Sequence, residues 1–294
     1  MTATGADLVR AHQDAGSTFV AAGTQSFVRT EGHGEPVVLM HGLPASSFLY
    51  RKVIPLLAAR GLRAVAFDLP GLGLAEHPTG FDYRLGGLGD FAAAAVDTLE
   101  LGPFHLVVHD AGGPVGFELI RRRPARIRSL TILNTMVEIP SAPFPGELLA
   151  RTSQRVGGWL GSTRVWELML HRVGVADRSA LTRAEADAYR LLALGDDDGA
   201  GYLNIMRNVR ASRSATSSYR DVVDTTRVPY PVQVVWGARD PILTLRRRGL
   251  EMLAATGLDH ITVVPGKHFI QEDCAPAVAE AIARVAQSRP TTVG

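Results

Sequence analysis

Five short runs of the chain are apolar almost throughout, Pro36–Met40, Arg63–Phe67, Phe104–Val108, Val232–Trp236 and Ile261–Val264, and Ile127–Leu133 reads as another strand. A strand with one wet face alternates apolar and polar residues. A run without that alternation is a strand buried on both faces. Helical patterns lie between the runs. In Tyr83–Leu101, for example, Leu88, Phe91, Ala95 and Leu99 recur at three- to four-residue spacing. Strand and helix alternating on this scale make a mostly parallel sheet with helices on both faces. A hairpin precedes it, Ser17–Val20 and Gln25–Arg29 around Ala22-Gly23-Thr24. A helix is expected from about Ser46, broken or kinked at Pro55.

From Glu138 the rhythm changes. Pro140, Pro143 and Pro145 mark a junction, and no buried strand is legible until Val232. Helical patterns fill the interval; in Leu181–Leu194, Thr182 and Glu185 have capping-box spacing. The expected organisation is a core domain of residues 1–137 and 226–294 interrupted by a helical domain of 138–225. The last helix is expected at Ala275–Gln287.

Composition limits the partners. Hydrophobic residues make up 46% and charged residues 20%, as in an ordinary folded chain. A net charge of +2 argues against nucleic acid. No apolar run approaches the ~20 residues of a membrane span, and Met1–Val20 shows no apolar leader core. A cytoplasmic monomer or homodimer is expected. Cys274 is the one cysteine, so no intrachain disulfide forms, and its acidic neighbours Glu272 and Asp273 disfavour a reactive thiolate. The arginine runs 121–123 and 246–248 read as solvated surface.

The chemistry concentrates at Val107-Val108-His109-Asp110-Ala111-Gly112-Gly113-Pro114. A buried strand ends, a tight turn follows and a helix begins. This is the setting that exposes a nucleophile, with Asp110 where other enzymes carry serine. A carboxylate attacks saturated carbon and forms an alkyl ester, which water then hydrolyses. The same Asp before a helix also suits a plain N-cap. Two further residues favour the nucleophile. Asp240 follows the strand ending at Trp236, and His268 follows the strand ending at Val264. Nucleophile, acid and histidine thus occur in the required chain order, each past the carboxyl end of a strand. The backbone N–H groups of Leu43 and Ala111 are the expected oxyanion hole.

These segments resemble the haloalkane dehalogenase and epoxide hydrolase branch of the α/β-hydrolase superfamily. The likeness rests on His41-Gly42-Leu43-Pro44 through Lys52, Asp68–Gly73, His109–Gly113, Trp236–Asp240 and His268–Asp273. It implies an eight-stranded α/β-hydrolase fold, a helical cap at 138–225, an aspartate nucleophile and no cofactor or metal. It also implies leaving-group donors. The family's usual tryptophan after the nucleophile is Ala111 here, an asparagine of one subfamily is Leu43, and a second cap tyrosine is replaced by Met206. Trp166, Met206 and Tyr202 of the cap, with His41 and His109, are the expected substrate and leaving-group residues. Tyr189, Tyr219 and His171 are further cap donors. Asn134 stands where some relatives keep the triad acid, and packing or turn formation is expected of it; Glu138 is a weaker acid candidate than Asp240.

The expected function is hydrolysis of a small apolar molecule, haloalkane dehalogenase-like, with epoxide hydrolysis as the alternative. Lactone, ester or biosynthetic-intermediate hydrolysis and a non-catalytic binding protein complete the range.

Overall fold

The computed structural model describes residues 3–139, 161–208 and 219–288. Eight strands form one sheet: β1 (Ser17–Ala21), β2 (Thr24–Glu31), β3 (Pro36–Met40), β4 (Arg63–Phe67), β5 (Phe104–Asp110), β6 (Ile127–Thr135), β7 (Val232–Gly237) and β8 (Thr262–Val264). Their order is β1-β2-β4-β3-β5-β6-β7-β8. β1 and β2 are antiparallel, β2 runs antiparallel to β4, and every other pairing is parallel.

The uninterrupted apolar runs have the predicted cause. Val38 and Met40 enter one apolar cluster, while Val37 and Leu39 enter another. Val65 and Phe67 oppose Ala64 and Ala66 in the same way, as do Leu106 and Val108 against Val107. Alternate side chains leave a strand on opposite faces, so both faces are buried. On one face lie α3 (Leu85–Thr98) and α4 (Gly112–Arg122). On the other lie α2 (Ile54–Ala58) and the last helix, Ala275–Gln287.

Between β6 and β7 the described elements are helical: α5 (Thr163–Met169), a π-helical turn (Leu170–Gly174), α6 (Arg183–Leu194), α7 (Ala200–Asn208) and α8 (Tyr219–Val223). Pro140, Pro143 and Pro145 lie outside the described residues. Thr182 and Glu185 close the anticipated capping box at the start of α6. α6 packs on α5, α7 and an N-terminal helix, α1 (Gly5–Asp14), whereas α8 packs on α4.

Three local readings change. Pro55 does not break a helix. It sits in the first turn of α2, where its missing N–H would have no intrahelical partner. α1 is absent from the sequence reading. Arg248 is buried beneath the surface expected of it and pairs with Glu251. No helix among the described residues is long and apolar enough to cross a membrane.

The strand order reverses direction at β3 and β5. From β3 the chain steps outward to β4, and from β5 it steps the other way through β6, β7 and β8. The carboxyl ends of two such strands leave a crevice between their loops, which is where open α/β sheets bind ligands. The loops after β3 and β5 carry Leu43 and Asp110.

Candidate active site

Asp110 ends β5 with φ +49°, a left-handed conformation for a side-chain-bearing residue. Its neighbours hold it there. The Thr135 hydroxyl donates to the Asp110 carbonyl across 2.5 Å. α4 begins two residues on, and the glycines are a spatial necessity. A Cβ on Gly112 would lie 2.3 Å from the His41 carbonyl oxygen, and one on Gly113 would lie 1.9 Å from Thr135 Oγ1.

The Asp110 carboxylate is held on both oxygens. Leu43 N–H donates to Oδ2 across 2.8 Å, and Ala111 N–H also bonds the carboxylate. Oδ1 faces His268 Nε2 at 3.5 Å. On the far side of the ring, His268 Nδ1 lies 2.8 Å from Asp240 Oδ2. Asp240 Oδ1 accepts from the Ile242 and Leu243 amides. Asp110, Asp240 and His268 are 9%, 4% and 2% exposed, so these contacts act away from bulk water, where electrostatic interactions are stronger. The structure thus brings together the two carboxylates, the histidine and the two amides singled out in the sequence.

Charge follows geometry. Burial disfavours the charged form of His268, yet the carboxylates on its two nitrogens outweigh it and raise its pKa to about 10. Burial also opposes ionisation of Asp110 and Asp240, but His268 reverses this and holds both below the usual carboxylate value. Among the described residues no cluster of three or more His, Cys, Asp or Glu side chains is arranged to hold a metal ion.

A residue that the sequence reading gave to packing joins this site. Asn134 donates to Asp240 Oδ2 across 2.6 Å and accepts from Gly237 N–H across 3.0 Å. Its φ of +31° resembles the strain at Asp110. One signal for it was available: a polar residue directly after the apolar pair Ile132-Leu133, at the alternative acid position. Glu138, the weaker acid candidate, pairs instead with Arg220 at the surface.

Residues 35–274 match the family model described as alpha/beta hydrolase fold. The chain belongs to the α/β-hydrolase superfamily. Within it, this hydrolase falls in the branch of haloalkane dehalogenases and epoxide hydrolases. It is 30% identical over 262 residues to a haloalkane dehalogenase 2 from Mycobacterium tuberculosis, covering 86% of this chain and 88% of that protein. A haloalkane dehalogenase from Psychrobacter cryohalolentis is 27% identical over 270 residues, covering 87% of this chain and 84% of that one. The crystal structure of an epoxide hydrolase from Vigna radiata superposes with a TM-score of 0.71 at 22% identity, covering 92% of this chain and 97% of that one.

The remaining candidates of this α/β-hydrolase separate by what they touch. His41 is not presented to a ligand. Its Nε2 accepts from Leu69 N–H at 3.0 Å and its Nδ1 donates to the Gly42 carbonyl at 3.0 Å, so both nitrogens serve the loops. His109 likewise supports the site from behind. Its Nε2 donates to the His268 carbonyl across 2.9 Å, and burial with the nearby His268 lowers its pKa to about 4. Tyr189 donates to Glu272, Tyr219 to Glu118, and His171 Nε2 lies 2.9 Å from the Leu181 carbonyl. Tyr202 differs. Burial raises its pKa to about 12, and the negative charge of Asp110 adds to the shift. Trp166 and Met206 are buried in the apolar cluster against which Leu43 and Tyr202 pack. Burial, with Asp273 beside it, raises the Cys274 thiol to about 11.

Proposed function

We propose that this hydrolase opens a small apolar electrophile by attack of Asp110 and releases the product by hydrolysing an alkyl ester. The observation that carries the reading is the division of labour on one carboxylate. Oδ2 is held by the Leu43 amide, while Oδ1 faces His268 and is the oxygen assigned to attack.

In the first step Asp110 Oδ1 bonds to the substrate carbon as the bond to the leaving group breaks. Oδ2 becomes the ester carbonyl oxygen and stays in its cradle. In the second step His268 Nε2 takes a proton from water, which attacks the Asp110 carboxyl carbon. Charge gathers on Oδ2, where the Leu43 amide already points and beside which Ala111 N–H bonds the same carboxylate, so stabilising it needs no rearrangement. Collapse returns the carboxylate and an alcohol. Asp240 orients His268 and stabilises its charged form, and Asn134 holds Asp240. Residues 138–225 act as the cap, with Met206, Trp166 and Tyr202 bounding a pocket for an apolar substrate.

A haloalkane is the leading substrate, supported by the similarity to curated dehalogenases over most of both chains. An epoxide is the second reading, and Tyr202 favours it. A departing alkoxide needs a proton and a phenol supplies one, whereas a halide leaves without one. The test is a His268→Phe chain incubated with haloalkanes and epoxides. An alkyl mass added to the peptide containing Asp110 supports the ester. No adduct with a compound that the unmodified chain turns over would refute it.

A further inference from the structure

The chain holds 31 lysine and arginine residues, and only Lys52 and Lys267 are lysines. Both ammonium groups reach backbone carbonyls of one stretch. Lys52 Nζ donates to the Ala180 carbonyl, and Lys267 Nζ donates to the His171 and Arg172 carbonyls across 2.8 Å each. An ammonium is compact and carries three donors. It can serve two carbonyls that point to one spot, which the flat guanidinium fork fits poorly.

Those two carbonyls belong to the end of a helix. α5 runs into the π-helical turn Leu170–Gly174, where Val175 N–H donates to the Leu170 carbonyl across 2.9 Å. The last four carbonyls of a helix have no partner within it; here they belong to residues 171–174. The histidine loop, residues 267–269, takes all four. Lys267 Nζ covers His171 and Arg172, His268 N–H donates to the Val173 carbonyl at 3.3 Å, and Phe269 N–H donates to the Gly174 carbonyl at 2.8 Å. A positive charge thus meets the negative pole of the helix. From the other side, Asp273 accepts the Lys267 N–H across 3.1 Å and the Ala176 N–H across 2.8 Å. The His268 backbone is therefore docked on the same helix that carries Trp166.

We propose that Lys267 is a positioning residue: by closing this helix end onto the histidine loop, it holds the His268 ring between Asp110 and Asp240. The consequence for the reaction rests on the reading that His268 activates the water that hydrolyses the Asp110 ester. His268 Nδ1 stands 2.8 Å from Asp240 and Nε2 stands 3.5 Å from Asp110, a placement that tolerates little movement of the loop. A misplacement on the order of 1 Å costs about a hundredfold in rate. That loss falls on the step that uses His268 as a base. Attack of Asp110 on the substrate carbon uses the carboxylate, which the Leu43 amide holds independently of this loop.

The test is an NMR titration of the His268 ring protons, which needs no substrate. It compares the unmodified chain with Lys267→Met and, should that variant not fold, with the milder Lys267→Gln. Thermal melts establish folding. In the unmodified chain the two carboxylates outweigh burial and raise the His268 pKa to about 10. Loss of a nearby positive charge would by itself raise it further, whereas a ring that slips from its carboxylates returns toward 6.5. The variant is expected to show a fall, a loss of about tenfold or more in proton affinity. A value that stays or rises in a folded variant overturns the proposal and leaves Lys267 a stabilising clamp. Rapid-quench mass spectrometry with propyl bromide and ethylene oxide reads the consequence. Hydrolysis of the Asp110 ester should slow by roughly 10–100-fold in the variant while its formation changes little; equal slowing of both steps also overturns the proposal. The His268→Phe chain tests the underlying reading separately. No Asp110 adduct with a compound that the unmodified chain turns over overturns the ester and leaves the titration to decide the role of Lys267.

Discussion

Asn134 donates its carboxamide N–H to Asp240 Oδ2 across 2.6 Å, and the same oxygen receives His268 Nδ1 at 2.8 Å. One carboxylate oxygen therefore ties together the ends of three strands. A hydrogen bond to a charged group contributes about 1.5–3 kcal/mol. If that contribution is spent on aiming His268, Asn134→Ala slows ester hydrolysis by roughly 10–100-fold, since 1.4 kcal/mol is a factor of ten. Alkylation of Asp110 is expected to change less, so ester should accumulate. Rapid-quench mass spectrometry reads both steps. Equal slowing of the two would indicate general structural damage.

The chain reveals its chemistry where function follows from position on a strand. Asp110, Asp240 and His268 each end a recognisable apolar run, and their chain order carries the inference. Asn134 and His109 end the same kind of runs, but their tasks depend on partners from other strands. Asn134 meets Asp240 and Gly237, and His109 meets the His268 carbonyl. No local pattern encodes those meetings. His41 misleads for the same reason, since its partners are backbone groups of two loops. α1 escaped because its pattern is weak alone. Its place is set by packing on α6, where a Cβ on Gly5 would meet the Asp187 side chain.

Tyr202→Phe separates the two substrate readings. A positioned general acid contributes about 10²–10⁴-fold. If the phenol protonates a departing alkoxide, epoxide opening falls by that order while halide release stays within a few-fold. Parallel assays of diol and bromide formation check this. Unchanged epoxide opening would remove Tyr202 from the reaction.

The protonation of His268 should depend on the charge of Asp110. In the resting site Asp240 and Asp110 outweigh burial and raise the His268 pKa from 6.5 to about 10. A raised folded value stabilises the fold fully below 6.5, and that contribution is lost as pH climbs through 10. Alkylation removes the charge of Asp110, so His268 gives up its proton more readily at the step that needs a base. Asp110→Asn imitates the neutral ester. Its His268 resonances are expected to titrate at lower pH than in the unmodified chain. An unchanged titration would contradict this coupling.

A buried ion cluster joins α6 to the chain after β3 next to the histidine loop. Glu272 accepts from Arg51 and Tyr189 and pairs with Lys52 at 2.7 Å, while Arg51 also reaches Glu185 of α6 at 2.5 Å. Glu272 has no exposed side-chain surface. Removing one partner of a buried pair costs about 3–5 kcal/mol, because the other charge is left without compensation. Urea unfolding of Glu272→Leu should show a loss of that order. Adding Arg51→Met should restore part of it, and a double variant less stable than both singles would refute the account.

The central claim is that Asp110 forms the bond to substrate carbon. It is tested most directly by one turnover in heavy-oxygen water with enzyme in excess over a confirmed substrate. The alcohol should carry ordinary oxygen donated by Asp110, and the peptide containing Asp110 should gain one heavy oxygen from the water that hydrolysed its ester. Heavy oxygen in the alcohol with none in that peptide would mean that water attacks the substrate directly and that Asp110 is not the nucleophile.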